Sequence, residues 1–192
     1  LASTALSMGL IPVMMKLADP LATMLKKLGL SGKSTVLPPE AKASTRLKAL
    51  VDHAIICGYG PVGQRLVEAL DNAGVSSVVV DLNADTVRRL HKAGRPVLFA
   101  DAAHRETWDL AGLERARLVA FTFPDVNTTM VALDFLYEHN REISIIARAK
   151  FAPEAQTLLA RGVHTVIHDE VESAKAVVRE ALHVYEGKVH PE

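Results

Sequence analysis

A single cysteine, Cys57, stands in 192 residues. That excludes an internal disulfide framework and fits a reducing compartment. Net charge is lacking too, because Lys plus Arg and Asp plus Glu both count 22, so no global electrostatic case exists for a nucleic-acid partner. The eight histidines include no H-E-x-x-H frame and have no partnering cysteine cluster, and no metal site is expected. No uncharged apolar run reaches the roughly 20 residues that carry a helix across a bilayer. What is present is 49% apolar and 23% charged, the composition of a packed domain rather than a disordered chain. The length holds one ordinary domain plus an appendage.

The appendage is at the start. Residues 1–15, "LASTALSMGLIPVMM", carry no charge and are interrupted by Gly9 and Pro12. As a helix they would rise about 22 Å, short of a full crossing. Lysines follow at 16, 26 and 27, where the positive-inside rule places them on the cytoplasmic side of a membrane helix. Two readings stand: residues 1–30 are the end of a transmembrane domain with a juxtamembrane helix, or an N-terminal core helix of a soluble protein. The lack of charge all round the run favours the first. The sequence opens on Leu with no basic region ahead of the apolar stretch. This suggests a piece starting inside a longer protein rather than a signal peptide. Residues 31–50, rich in Ser, Pro, Lys and Ala, read as a linker. Their "SGKST" fails as a P-loop, since position 27, where Gly is required, is Lys and no strand precedes it.

From residue 52 the pattern is regular. Short β-branched runs fall at 53–57, 76–80, 96–100, 117–122, 143–147 and 163–167, nearly continuous in apolarity, as strands covered on both faces are. Helical segments lie between them. "PVGQRLVEALDNAG" places Pro61 at a helix start and Val62, Leu66, Ala69 and Leu70 on one face; Asn83 is an N-cap, and Gly94 and Gly162 are terminators. Val126, Met130, Leu133 and Tyr137 mark a further helix, and Val171, Ala174, Val178 and Leu182 a last one over 169–184. Strict alternation of this kind implies right-handed crossovers and a Rossmann-like, doubly wound parallel sheet of six strands in two halves.

The chemistry sits in "CGYGPVG". Gly58, Gly60 and Gly63 have the G-x-G-x-x-G spacing, directly after an apolar run and at the start of a helical one. Gly58 allows the turn, Gly60 lets a phosphate approach the backbone, and Gly63 lets helix and strand pack closely. The helix start then offers N–H groups and a partial positive charge to an anion. Asp81, eighteen positions after Gly63, ends the second strand, where a carboxylate accepts from ribose hydroxyls and repels a 2′-phosphate. The ligand so defined is NAD(H), AMP, ADP or ATP; the plainer reading of Asp81 is a helix cap or solvated strand end. Asp101 and Ala102 after the third strand, and Thr122 and Phe123 after the fourth, share the same rim.

Little remains for catalysis. About two dozen residues follow the sixth strand, so no substrate domain is left. None of the three tyrosines has Lys four positions on, which excludes the short-chain dehydrogenase pair. His104 and His168 read as surface residues, and Cys57 as a small apolar filler. No catalytic residue is assigned. The reading is a sensor, with a soluble NAD-dependent oxidoreductase as an alternative.

Taken in order, "HAIICGYGPVGQRLVEAL", "VVVDLNADTVRRL", "FADAAHRETWDLAGLERARLVAFTFPD", "IIARA" and "LLARGVHTVIHDE" resemble the RCK domain, also termed KTN or TrkA-N, over about residues 52–184. The preceding "STALSMGLIPVMMKLADPL" resembles the end of the last membrane helix of Kef-type and YbaL-like bacterial cation:proton antiporters. The resemblance implies a cytoplasmic, dimeric regulatory domain at 51–186, with a tail at 187–192. It would bind an adenine nucleotide beneath an N-terminally attached antiporter of the inner membrane that exchanges K+ or another monovalent cation for H+. A potassium channel or uptake system is the alternative host. The resemblance matches Gly58, Tyr59, Gly60, Val62 and Gly63 to the phosphate loop, Asp81 to the ribose carboxylate, and Asp101 and Ala102 to the adenine side. Pro61 and Leu82, beside these in the sequence, and Thr122 and Phe123, on the same rim, join the candidate nucleotide-binding set. Arg148 lies near the ligand and dimer interface, and Glu170 follows the sixth strand. Pro61 stands where many members carry Arg, and Ala100 where Gly is usual. The last helix and the apolar face of 126–139 are candidate dimer surfaces, unless each packs on its own sheet.

Overall fold

The computed structural model describes Leu47 and residues 49–186. The expected membrane-domain end at 1–30, most of the expected linker at 31–50 and the tail at 187–192 lie outside the described residues. Six parallel strands form one sheet: β1 (His53–Cys57), β2 (Ser77–Asp81), β3 (Val97–Phe99), β4 (Ala116–Phe121), β5 (Ser144–Ala149) and β6 (Thr165–His168). Their spatial order is β3-β2-β1-β4-β5-β6, the doubly wound Rossmann arrangement expected from the alternation. The helices between them are α1 (Pro61–Asn72), α2 (Ala84–Lys92), α3 (Arg105–Ala111), α4 (Val126–His139) and α5 (Ala152–Ala160), and α6 (Asp169–Glu186) follows β6.

Burial explains the sheet. Every residue of β1 is buried, and Val78, Val79, Val80, Val119, Phe121 and Ile145 are at most 2% exposed. Each such side chain contributes about 1.5–3 kcal/mol relative to remaining in water. The core takes in Leu47, with Leu50 packed against it, so the last residues before β1 cover the domain. His53 is buried at the start of β1, its Nε2–H donating to the Ala111 carbonyl at 2.8 Å, and burial pulls its pKa below the ordinary histidine value.

Local signals held at the helix ends. Pro61 opens α1, and Asn83 caps α2 by accepting from the Asp85 and Thr86 N–H groups. Two features differ from expectation. Helix α3 and the short 3-10 turn Leu113–Arg115 were not anticipated: α3 has seven residues, too few for a period, and it stops at Gly112 in the left-handed region. The buried residues of α1 are Gly63 and Val67, while Val62 is 42% exposed and Ala69 is exposed, so the helix is rotated from the Val62–Ala69 face. Contact of Gly63 with the β1 turn sets that rotation.

The two candidate dimer surfaces behave differently. Helix α4 buries Thr129, Ala132, Leu133 and Leu136. Helix α6 leaves Val171, Val177, Val178, Leu182 and Tyr185 exposed. Among the described residues no helix is long and apolar enough to cross a membrane.

Candidate functional site

Sheet register assembles the rim. Cys57 is level with Val80 on one side and Phe121 on the other, so the next residues, Gly58, Asp81 and Thr122, form a row at the carboxyl ends of β1, β2 and β4. This is the point where strand order reverses and where ligands bind in doubly wound folds. A crevice of about 430 Å³ opens there, within the range of small-molecule sites.

The loop is tight underneath and open above. Gly58 has φ +95°, and a Cβ there would press on Thr122 Oγ1 at 2.9 Å and Phe123 Cδ1 at 3.1 Å. A Cβ on Gly63 would overlap the Gly58 carbonyl oxygen, whereas one on Gly60 would meet nothing within 4 Å. The N-cap of α1, Gly60, supplies no side-chain hydrogen bond, so the positive end of this helix faces the crevice uncapped. Beneath the loop Cys57 is fully buried, and burial pushes its thiol far above the ordinary range, away from thiolate chemistry.

Asp81 points into the crevice and holds the loop. Its Oδ2 accepts from the Tyr59 N–H at 2.6 Å and its Oδ1 from the Asn83 N–H at 2.6 Å. A carboxylate has about four acceptor positions, so roughly two remain for hydroxyls. Asp101 braces the next turn, its Oδ1 accepting from the Ala103 N–H at 2.9 Å and its carbonyl from Thr107 Oγ1 at 2.5 Å. Ala102 is 5% exposed and Leu82 is 63% exposed at the lip.

Of the residues named from sequence, Gly58, Tyr59, Gly60, Asp81, Leu82, Asp101, Ala102 and Phe123 line the crevice. Pro61, Val62 and Gly63 form the first turn of α1 beside it. Thr122 lies under the loop, its hydroxyl donating to the Cys57 and Gly58 carbonyls at 3.0 and 2.9 Å. Arg148 and Glu170 do not line it. Arg148 grips Asp169 through Nε and Nη2 at 3.0 and 2.6 Å and donates from Nη1 to the Thr122 carbonyl at 2.6 Å. Glu170 is exposed and lies 3.5 Å from His168 Nε2.

Four lining residues fall outside the site named from sequence: Val80 in β2, Ala100 just after β3, and Asp125 and Thr128 at the start of α4. An Asp followed three residues later by Thr, just after a strand, was the available signal for a capped helix start at the rim. His164 and His168 have a four-residue spacing, but His164 Nδ1 accepts from the Ile145 N–H at 3.3 Å, and His168 is at the far end of the extended β6 that begins just after His164. Among the described residues no group of three His, Cys, Asp or Glu could hold a metal ion.

Fold and rim together define a nucleotide-type α/β domain. Residues 54–169 match the TrkA-N domain family, and the chain belongs to that family. Among curated relatives it is 30% identical over 129 residues to the putative cation/proton antiporter YbaL of Escherichia coli K12, covering 67% of this chain and 23% of that protein. It is 29% identical over 143 residues to the glutathione-regulated potassium-efflux protein KefC of Escherichia coli, covering 74% of this chain and 23% of KefC. The chain thus spans under a quarter of the length of these relatives. The solved TrkA-N domain of the inner membrane protein YbaL superposes with TM-score 0.66 at 30% identity, over 68% of this chain and 97% of that one. The AMP-bound Kef CTD of Shewanella denitrificans superposes with TM-score 0.59 at 23% identity, over 69% of this chain and 80% of that one.

Proposed function

We propose that residues 51–186 are the cytoplasmic regulatory domain of an inner-membrane cation:proton antiporter. The domain binds an adenine nucleotide lacking a 2′-phosphate in the crevice: AMP or NAD(H), with ADP or ATP as further candidates. One observation carries this reading: the Asp81 carboxylate faces the crevice, bonded to the Tyr59 N–H of the glycine loop and with acceptor positions left over. The loop amides and the uncapped end of α1 take a phosphate, Asp81 takes the ribose hydroxyls, and the Asp101–Ala102 turn sits beside the base.

The domain acts without chemistry of its own. Its rim holds amides and carboxylates, and Cys57 is sealed beneath them as a thiol. The exposed Val177, Val178, Leu182 and Tyr185 of α6 support a homodimer through that helix. Similarity to YbaL and KefC supports potassium or another monovalent cation and a proton as the exchanged ions in the attached membrane domain. Nucleotide controls exchange to the extent that its affinity differs between two arrangements of the dimer.

The test is thermal stabilisation by AMP, ADP, ATP and NADH. The wild-type chain is expected to gain several degrees at saturating ligand. Asp81→Ala should lose that gain and keep a native circular-dichroism spectrum. A wild-type chain that no adenine nucleotide stabilises would sink the proposal.

A further inference from the structure

We infer that the point where the chain enters this domain is a proton-sensitive latch, held by the neutral ring of His53 and released when that ring takes up a proton. The latch is independent of the nucleotide reading. Leu47 is buried in the core, and the Leu50 N–H donates to its carbonyl at 3.2 Å. Three hydrogen bonds then tie the entering stretch and the start of β1 to the end of α3 and the 3-10 turn. Arg115 Nε donates to the Leu50 carbonyl at 3.1 Å, the Asp52 N–H to the Arg115 carbonyl at 2.9 Å, and His53 Nε2–H to the Ala111 carbonyl at 2.8 Å. Asp52 is held at φ 52°, and no other non-glycine residue among the described residues has positive φ. Such a conformation persists only where its surroundings enforce it, so the stretch is biased toward release once a tie is lost.

The ring is where a proton acts. His53 is fully buried, and with Nε2–H spent on the Ala111 carbonyl its Nδ1 carries the lone pair. Among the described residues Nδ1 has no hydrogen-bond partner. A proton arriving there makes a buried N–H without an acceptor on a charged ring, which costs far more than the same event in water. Among the described residues two charged groups act on the ring: Arg115, from the 3-10 turn, opposes the proton, and Asp52, beside it in the chain, favours it. Gly112 lies between ring and guanidinium, since a Cβ there would meet Arg115 Nη2 at 2.6 Å and His53 Cε1 at 3.4 Å. Arg115 is also the donor to Leu50, so a charged ring works against two of the three ties. Desolvation dominates and lowers the folded pKa. Below about pH 6.5 the released form therefore holds more protons, and acid favours release. Everything ahead of Leu47 reaches the sheet only through this stretch. Freeing the six residues from Leu47 to Asp52 adds up to about 20 Å of slack to that connection.

Amide hydrogen exchange of the 192-residue chain between about pH 7.5 and about pH 5.5, corrected for intrinsic rates, tests this. It is read at the Asp52 N–H and, as a core reference, at the Val79 N–H, which donates to the Pro96 carbonyl at 3.1 Å. Protection at Asp52 should fall below about pH 6.5, by up to about tenfold per pH unit as one proton is taken up. Adding about 1 M urea should leave Asp52 exchange nearly unchanged and accelerate Val79, because local release exposes little surface and global unfolding exposes much. His53→Gln offers a side-chain N–H to the Ala111 carbonyl and cannot titrate, so its Asp52 protection should not change with pH. Wild-type protection that stays flat across this range, or that falls equally in His53→Gln, would overturn the latch. Equal acceleration of Asp52 and Val79 by urea would overturn it too, and the wild-type measurements decide the question even if His53→Gln does not fold.

Discussion

The turn after β1 and the turn after β4 occupy equivalent places in the two halves of the sheet, yet they are built in opposite ways. The first bends through Gly58 at φ +95°, brings in Gly60 with no side chain, and leaves the start of α1 without a cap. The second uses Asp125 to satisfy the Asn127 and Thr128 amides at the start of α4. One helix start is capped by its own side chain and the other has no side-chain cap. The difference shows how a few residues at the turn give two copies of one β-turn-α unit opposite helix starts, and only the first leaves amides for the nucleotide phosphate we propose there.

The largest effect expected from breaking this contrast is at Gly63. A methyl group there overlaps the Gly58 carbonyl, so Gly63→Ala must lift the loop from α1 and should cost about 3 kcal/mol in urea unfolding. Gly60→Ala, into open space at φ −71°, should cost under about 1 kcal/mol, and equal losses at the two positions would show that the loop is not wedged.

His53, at the opposite end of β1, gives a control that avoids both turns. Burial lowers its folded pKa, so below about pH 6.5 the unfolded chain binds the extra proton. Its contribution is complete above that pH and is lost as pH falls, at no more than about 1.4 kcal/mol per pH unit. His53→Gln should flatten the acid side of the stability curve, and parallel curves for the two proteins would exclude this source. The smallest effect belongs to the second turn. Asp125→Ala removes a cap and should cost about 1 kcal/mol, while Asp125→Asn should cost a few tenths. A larger loss from Asn would mean that the charge, and not only the hydrogen bonds, stabilises α4.

The sheet was legible because its apolar runs end at residues that register brings level, as with Cys57, Val80 and Phe121. The same register made Gly58, Asp81 and Asp101 readable as rim residues. Helix α3 was not legible, since seven residues ended by Gly112 give no repeating stripe. The rotation of α1 was hidden because Gly63 has no side chain to count in a hydrophobic pattern, although its closeness to Gly58 decides which face turns inward. Asp125 and Thr128 were missed because a helix-capping pair resembles any other loop until the opposite wall of the crevice is in place. The apolar stripe on α4 and that on α6 look alike in sequence, and only the fold shows that one is covered and the other bare.

Thr122 has a mechanical consequence. Its hydroxyl ties down the floor of the glycine turn, and its carbonyl receives the guanidinium that also anchors Asp169, the opening residue of the last helix. These bonds make a strut running edgeward across the sheet from one polypeptide bend to the root of a long lever. A shift at the inner end need not travel through the packed interior to tilt the lever; it has a short polar path along the top of the strands.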